Sequence, residues 1–564
     1  MVRQHPWDDM TQEQQFLVTQ SMAYMDRHYN AGMGLLKDES GAYHSTRASA
    51  HYVLGLLLRN APGDRERAVV AIERVLDTQL IAPGEIYHAT FRASPEAASP
   101  PAGRMAWGAF PPSIAYSLPE TLDSIFDTFL VQAKDLLALN GPEGRTTAKR
   151  IFQEAADSVL PPIWRSYDPN WREFIACTFA LVLEHFEDAL PSETVRRMDS
   201  SMEMAVAASI ERRRSQSIAM NTNIELMHMF IAHYYGHRFG REDWQRHAEE
   251  EAERFLHAYE EFDSFAEYNS ATYYGVDLAV LGMWRRYGRT ASFRKIGLAV
   301  EHGLWRNLAL FYNANLENVS GPFSRAYEME MVAHSSLGVF VYLALGAGYE
   351  HMTAVNCESE HDPIIALVGV DVPDDVLPLL REHRQNRFVA KQFRELVEWD
   401  LPGSNSNLCT TEAWIGEDLM IGALSGSRNT SGQLHPATVH WRAANGERYS
   451  IRLLRRLAGE HWSKHTRGFL YEAHASEGHL NVEIQIETDM EIEVFFEVQG
   501  PNLGSADVRG GEWIFPGLRC SLEAEAPAPF VRELGERIEI VYPYRPAQSA
   551  QRMSFRLQVE RSDD

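Results

Sequence analysis

Residues 265–277, FAEYNSATYYGVD, crowd Glu267, Tyr268, Asn269, Thr272, Tyr273 and Tyr274 into one short run. Phenol, carboxylate and carboxamide groups at this spacing suit proton transfer and the grip of a polar ligand. The run is too polar for a core turn and too rich in aromatic hydroxyls for a plain linker. A helix start, capped by Ser270 or Thr272 with Tyr273 packed inward, accounts for one hydroxyl only. The run is therefore expected to be a site loop opening into a helix. Tyr273 and Tyr274 would present phenols, and Glu267 and Asn269 would bind or polarise a ligand.

Three further clusters carry comparable chemistry. Residues 221–228, NTNIELMH, follow the basic run Arg212-Arg213-Arg214, and Asn221 or Asn223 can cap the helix that begins there. Asn223 lies further inside, which leaves its carboxamide for a ligand. Residues 320–331, SGPFSRAYEMEM, bring Arg325 beside Tyr327, Glu328 and Glu330, a pairing that suits a carboxylate clamp with a proton donor. The plainer reading is a surface Arg paired with a helical Glu. On a helix, His334 would fall on the face of Tyr327. In residues 166–174, SYDPNWREF, Trp171 offers a platform for a sugar ring and Arg172 a cation, although Trp at a helix start is also an ordinary core anchor. Residues 44–52 and 87–92 are candidates for the same cavity.

Metal and cofactor signals are sparse. No HExxH, calcium loop, Walker A loop, dinucleotide fingerprint or GxSxG elbow is present. No resident cofactor is expected. A structural zinc or calcium ion is the one candidate, with His435, His440, His461 and His465 as possible zinc ligands, though exposed strand histidines are the simpler reading of these four.

The elements that must position these groups fall into two textures. From about residue 11 to residue 396, apolar residues recur at three- and four-residue spacing, as in residues 49–59, 66–80, 122–139, 172–186, 224–236, 244–262 and 276–288. These predict roughly a dozen helices in successive hairpins, a closed ring rather than a solenoid. After about residue 403, apolar–polar alternation takes over in residues 417–426, 437–443, 448–454, 479–488, 490–499, 537–544 and a closing run near the end. The expected fold is a helical domain over 1–400, an (α/α) toroid or incomplete helical barrel, followed by an antiparallel β-sandwich over 401–564. A helix over residues 389–397 is expected to bridge them.

Bulk properties narrow the partners. A chain of 564 residues favours two or more domains, and 45% hydrophobic with 23% charged residues is ordinary for a globular protein. The formal charge of −25 argues against nucleic acid, which needs cationic surface. An anionic ligand would need a local basic pocket. Four scattered cysteines without a CxxC pair suit a reducing compartment, and the polar N-terminus shows no apolar signal region. A cytoplasmic location is expected, or a secreted one if the chain is a mature form, with no membrane association.

A helical ring followed by an antiparallel β domain resembles polysaccharide lyases of the heparinase II/III, chondroitin AC and alginate lyase type. The resemblance implies β-elimination on a uronate-containing glycan. In such lyases an Asn neutralises the uronate carboxylate, a Tyr, often with a His, moves the C5 proton, and an Arg and a Glu support them. It assigns Asn223 as neutraliser, Tyr273 or Tyr274 as base and acid with Tyr327 as the alternative phenol, and Arg325 with Glu267 as support. Asn269, Trp171, Arg172 and His334 would contact the substrate, an acidic oligo- or polysaccharide. The sequence departs from that pattern in having no His shortly before the Tyr pair. The competing reading is a glycoside hydrolase on the same ring, with Glu267 paired to Asp277, Glu330 or Asp168.

Overall fold

The computed structural model describes residues 5–85, 87–97, 100, 129, 147–148, 151, 168–215, 220–395, 407–429, 432–463, 468–488, 490–546 and 548–562. The sequence stretch 122–139, expected to be helical, and His465 lie outside the described residues, apart from residue 129.

Helices α1 (Gln12–His28), α2 (Thr46–Arg59), α3 (Asp64–Leu76), α4 (Trp171–Phe186), α5 (Ser192–Ser215), α6 (Thr222–Arg238), α7 (Glu242–Glu260), α8 (Tyr273–Tyr287) and α9 (Ala291–Phe311) pair as hairpins. Shorter helices α10 (Leu337–Leu345), α11 (Asp362–Val368) and α12 (Leu377–Arg381) follow. α2, α4, α6 and α8 pack side by side as an inner row, with α3, α5, α7 and α9 outside them. α11 packs on α8, α1 and α2, which closes the ring.

The sequence explains which helix goes where. α6 is apolar on nearly every face, with Phe230, Ile231, His233, Tyr234 and Tyr235 all buried, as a helix surrounded by others requires. α7 confines Trp244, Ala248 and Ala252 to one stripe and turns its many charges to solvent.

The β region is two packed antiparallel sheets. The larger runs, edge to edge, through Phe530–Glu533, Arg537–Tyr544, Ile492–Gln499, Arg448–Leu457, Ala437–Arg442, Leu419–Ser425, Asn407–Ile415 and Arg387–Glu395. The smaller runs through Phe469–Ser476, His479–Ile486, Arg552–Arg561, Leu518–Glu525, Glu512–Phe515 and Asp507–Arg509. His479–Ile486 alternates exposed and buried residues, and its Val482 and Ile484 share a core with Phe496 and Trp513.

One segment departs from expectation. The stretch read as a bridging helix over 389–397 is strand Arg387–Glu395, in register with Asn407–Ile415. Val389 and Phe393 are four apart, which fits a helix, but they also share one face of a strand. Pairing with its neighbour decides between the two periods. The sheet therefore begins ahead of residue 401.

The second face of the large sheet receives a long loop from the helical ring, residues 312–336. Phe323 bridges to His435, and the Ala326 N–H donates to Gln433 O. The fit depends on two glycines: a Cβ at Gly422 would fall on the carbonyl of Gly321, and one at Gly321 on the Thr438 side chain. His435 and His440, expected on exposed strand faces, are buried beneath this loop, where their Nε2 atoms donate to Ala326 O and Met329 O. Each helps to satisfy a loop carbonyl, the Met329 carbonyl also accepting from Asn318 Nδ2 at 2.9 Å. Among the described residues no helix is long and apolar enough to cross a membrane.

Candidate functional site

The first turns of the inner helices meet at one rim of the ring, and the loop against the β-sandwich roofs it. Glu267 organises the centre. The Asn223 backbone N–H donates to Glu267 Oε2 at 2.9 Å and its Nδ2 donates at 3.1 Å, while Arg325 Nη1 donates to Oε1 at 2.7 Å. Asn223 sits in the first turn of α6, where backbone N–H groups lack helical partners, so Glu267 caps that helix at its positive end.

Arg325 reaches a second partner. Its guanidinium lies 4.4 Å above the ring of Tyr273, the first residue of α8. Burial pushes the Tyr273 phenol well above its ordinary range. Arg325 pulls it down, and Tyr327 and Glu267 push it up further. The cation expected to lower a phenol is thus in place, but desolvation outweighs it. Asp277, one turn further along α8, is also held well up, by burial and by Glu267.

Tyr327 is fixed from both domains. Its N–H donates to Thr272 Oγ1 at 3.0 Å, and its carbonyl accepts from Arg452 Nη1 of the large sheet at 2.7 Å. Its ring, half-buried, stacks on His334 with centroids 4.2 Å apart. His334 adopts a left-handed backbone with φ of 50°, a conformation that a non-glycine residue holds only where its surroundings impose it. A histidine therefore lies against Tyr327 in space.

A line of titratable groups continues inward from His334. Its Nε2 lies 3.5 Å from Glu358 Oε1, and Glu358 Oε2 lies 2.9 Å from His361 Nδ1. Burial would raise the Glu358 carboxyl, but His361 and Arg47 hold it down to about 2. The His361 ring is 4.6 Å from that of His51 on α2. Arg47 joins Glu360 at 3.1 Å and lies 5.8 Å from the Trp171 ring.

Other sequence candidates sit elsewhere. Tyr274 is turned away from Tyr273 by the helical step of about 100° per residue. It is 2% exposed, accepts from the Asn269 N–H at 2.6 Å and packs edge-on against Phe265. Asn269 does not face the rim either: its Nδ2 donates to Ser320 O and Pro322 O, both at 2.8 Å, and so anchors the roof loop. Arg172 is buried against Glu173 and donates to His88 O. Trp171 is half-buried at the rim beside Arg47. The structure thus brings together Asn223, Glu267, Tyr273, Arg325, Tyr327 and His334, and leaves Tyr274, Asn269 and Arg172 in supporting positions.

Glu358, Glu360 and His361 were not singled out from the sequence. The signal was the dense titratable run of residues 357–362, CESEHD, directly ahead of Pro363.

A family model described as "Domain of unknown function (DUF8769)" matches residues 15–116 and 150–368. The chain belongs to this family. The matched region carries all the rim residues, from Arg47 to His361, and stops before the first strand of the large sheet. No curated protein matches the chain. Two solved structures are similar to it: heparinase III, at 8% identity and a TM-score of 0.34 over 91% of this chain and 92% of that one, and a heparan sulfate lyase HepC mutant from Pedobacter heparinus, at 9% identity and a TM-score of 0.27 over 91% of each.

Proposed function

We propose that this protein is a carbon–oxygen lyase that cleaves a uronate-containing oligo- or polysaccharide by β-elimination. The observation that carries the proposal is the pair of phenols, Tyr273 and Tyr327, with ring centroids 6.4 Å apart and the Arg325 guanidinium over the first, at a rim built from helix N-termini. A uronate carboxylate suits that rim: Arg325 offers a cation, and the converging helix ends favour negative charge. Offsetting the carboxylate charge makes the neighbouring C5 proton removable. Tyr327, half-exposed and stacked on His334, acts as its phenolate, takes the C5 proton and afterwards returns it to Tyr273, its hydrogen-bonded neighbour. The C5–H electron pair forms the C4=C5 bond, the C4–O bond breaks, and the leaving oxygen takes a proton from Tyr273, which burial keeps protonated. Asn223 and Glu267 hold Arg325 in place.

A carboxylate pair for hydrolysis is less well supplied. Glu267 is engaged on both oxygens, and Asp277 is fully buried. The proposal is tested by following ultraviolet absorbance with a panel of uronate glycans of different sugars and linkages. A rise from the conjugated unsaturated product supports it. New reducing ends without that rise would replace it with hydrolysis.

A further inference from the structure

The inner end of the titratable line has a use that elimination chemistry does not require. His51 on α2, and Glu360 and His361 just ahead of α11, are all buried, at 0%, 8% and 6% exposure. One ligand atom from each lies within 4.8 Å of the others. His361 Nδ1 faces Glu358 Oε2 at 2.9 Å, and His51 Nδ1 lies 3.4 Å from Glu360 Oε1. Among the described residues, the Nε2 atoms of both rings have no hydrogen-bond partner. Two buried imidazole nitrogens without partners are costly unless something binds them. Both rings line a cavity of about 20 Å³, room for one water-sized molecule.

We propose that His51, Glu360 and His361 form a binding site for a divalent transition-metal ion, zinc being the representative case. Two imidazoles and one carboxylate form a donor set used for such ions, with a water completing the coordination. The Glu358 carboxylate on His361 Nδ1 supplies the outer-shell contact that fixes a ligand imidazole and leaves Nε2 for the metal. Arg47, bonded to Glu360, offsets part of the carboxylate charge. A site of two imidazoles and one shared carboxylate is poor in oxygen and low in charge, which disfavours calcium and magnesium. The position has a structural consequence: an ion here would tie α2 to the segment entering α11, the seam at which the helical ring closes.

The test uses the full chain, stripped with chelator and titrated with cobalt(II), a spectroscopic stand-in for zinc. The expected result is a visible ligand-field band saturating at one ion per chain, with a rise in melting temperature. Both should be lost in His361→Gln and Glu360→Gln and retained in His334→Gln, which alters the neighbouring His334–Cys357–Glu358 group instead. Absence of the band and of the thermal shift in the wild-type chain would overturn the proposal, whatever the variants do. Saturation unchanged in folded His361→Gln, as judged by circular dichroism, would also overturn it.

Discussion

Arg325 serves Glu267 and Tyr273 at once: one guanidinium nitrogen donates to the carboxylate at 2.7 Å while the group as a whole lies 4.4 Å above the phenol ring. Through Glu267 it is also joined to Asn223 at the start of α6. A charge network, rather than one side chain, therefore sets the electrostatics of the rim.

Removing the Tyr327 hydroxyl isolates the proton-transfer step. Tyr327→Phe keeps the ring stacked on His334 and should leave the melting temperature unchanged. Its kcat should fall about 10²- to 10⁴-fold, the usual share of a general acid or base, with little change in KM. Steady-state kinetics on the substrate found by the absorbance screen gives the answer, and a variant with wild-type kcat would remove Tyr327 from the mechanism.

Breaking the network should cost stability as well as activity. Glu267→Ala leaves Arg325 without its carboxylate and α6 without its cap. Loss of one partner of a buried pair typically costs about 3–5 kcal/mol. Denaturant unfolding should show a loss of that order, and a near-neutral result would mean that solvent already screens the pair.

The roof loop depends on close approach to the sheet. Gly422→Ala places a methyl group on the carbonyl of Gly321, so loop and strand must separate. Overpacking of this kind costs about 1–3 kcal/mol. The shift should also displace Arg325 and Tyr327, so activity should fall by more than the stability loss explains. Thermal melts and kinetics on the same preparation check both parts.

Two groups on this interface, Glu330 and His440, should respond to pH in opposite senses. Burial raises the Glu330 carboxyl to about 7, so its folded pKa lies above the unfolded one. Its unfavourable contribution is absent in acid and grows as pH rises from the ordinary carboxylate range through about 7. Burial lowers His440 to about 4, with the Met329 carbonyl opposing, so stability is lost as pH falls from the ordinary imidazole range to about 4. Glu330→Gln should therefore gain melting temperature relative to wild type at neutral and alkaline pH and lose that gain in acid. A gain independent of pH would show that the carboxyl is not the cause.

The two-part fold was legible because helical and strand periods separate cleanly along the chain. α6 and α7 announce their inner and outer places by how widely their apolar residues spread. Arg387–Glu395 was misread because Val389 and Phe393 satisfy both periods, and only the partner strand decides. The rim was half legible. Asn223, Glu267, Tyr273, Arg325 and Tyr327 showed through local residue types, but which of two adjacent tyrosines faces the rim depends on where α8 begins. The link from the 357–362 run to His51 was hidden because only ring closure brings α2 against the segment entering α11.

The most direct measurement is the mass of the cleavage products. Elimination adds no water, so the fragment with the new non-reducing end should be lighter by one water than the corresponding hydrolysis product. Fragments whose masses together equal the substrate plus one water would contradict the elimination mechanism and assign the rim to hydrolysis.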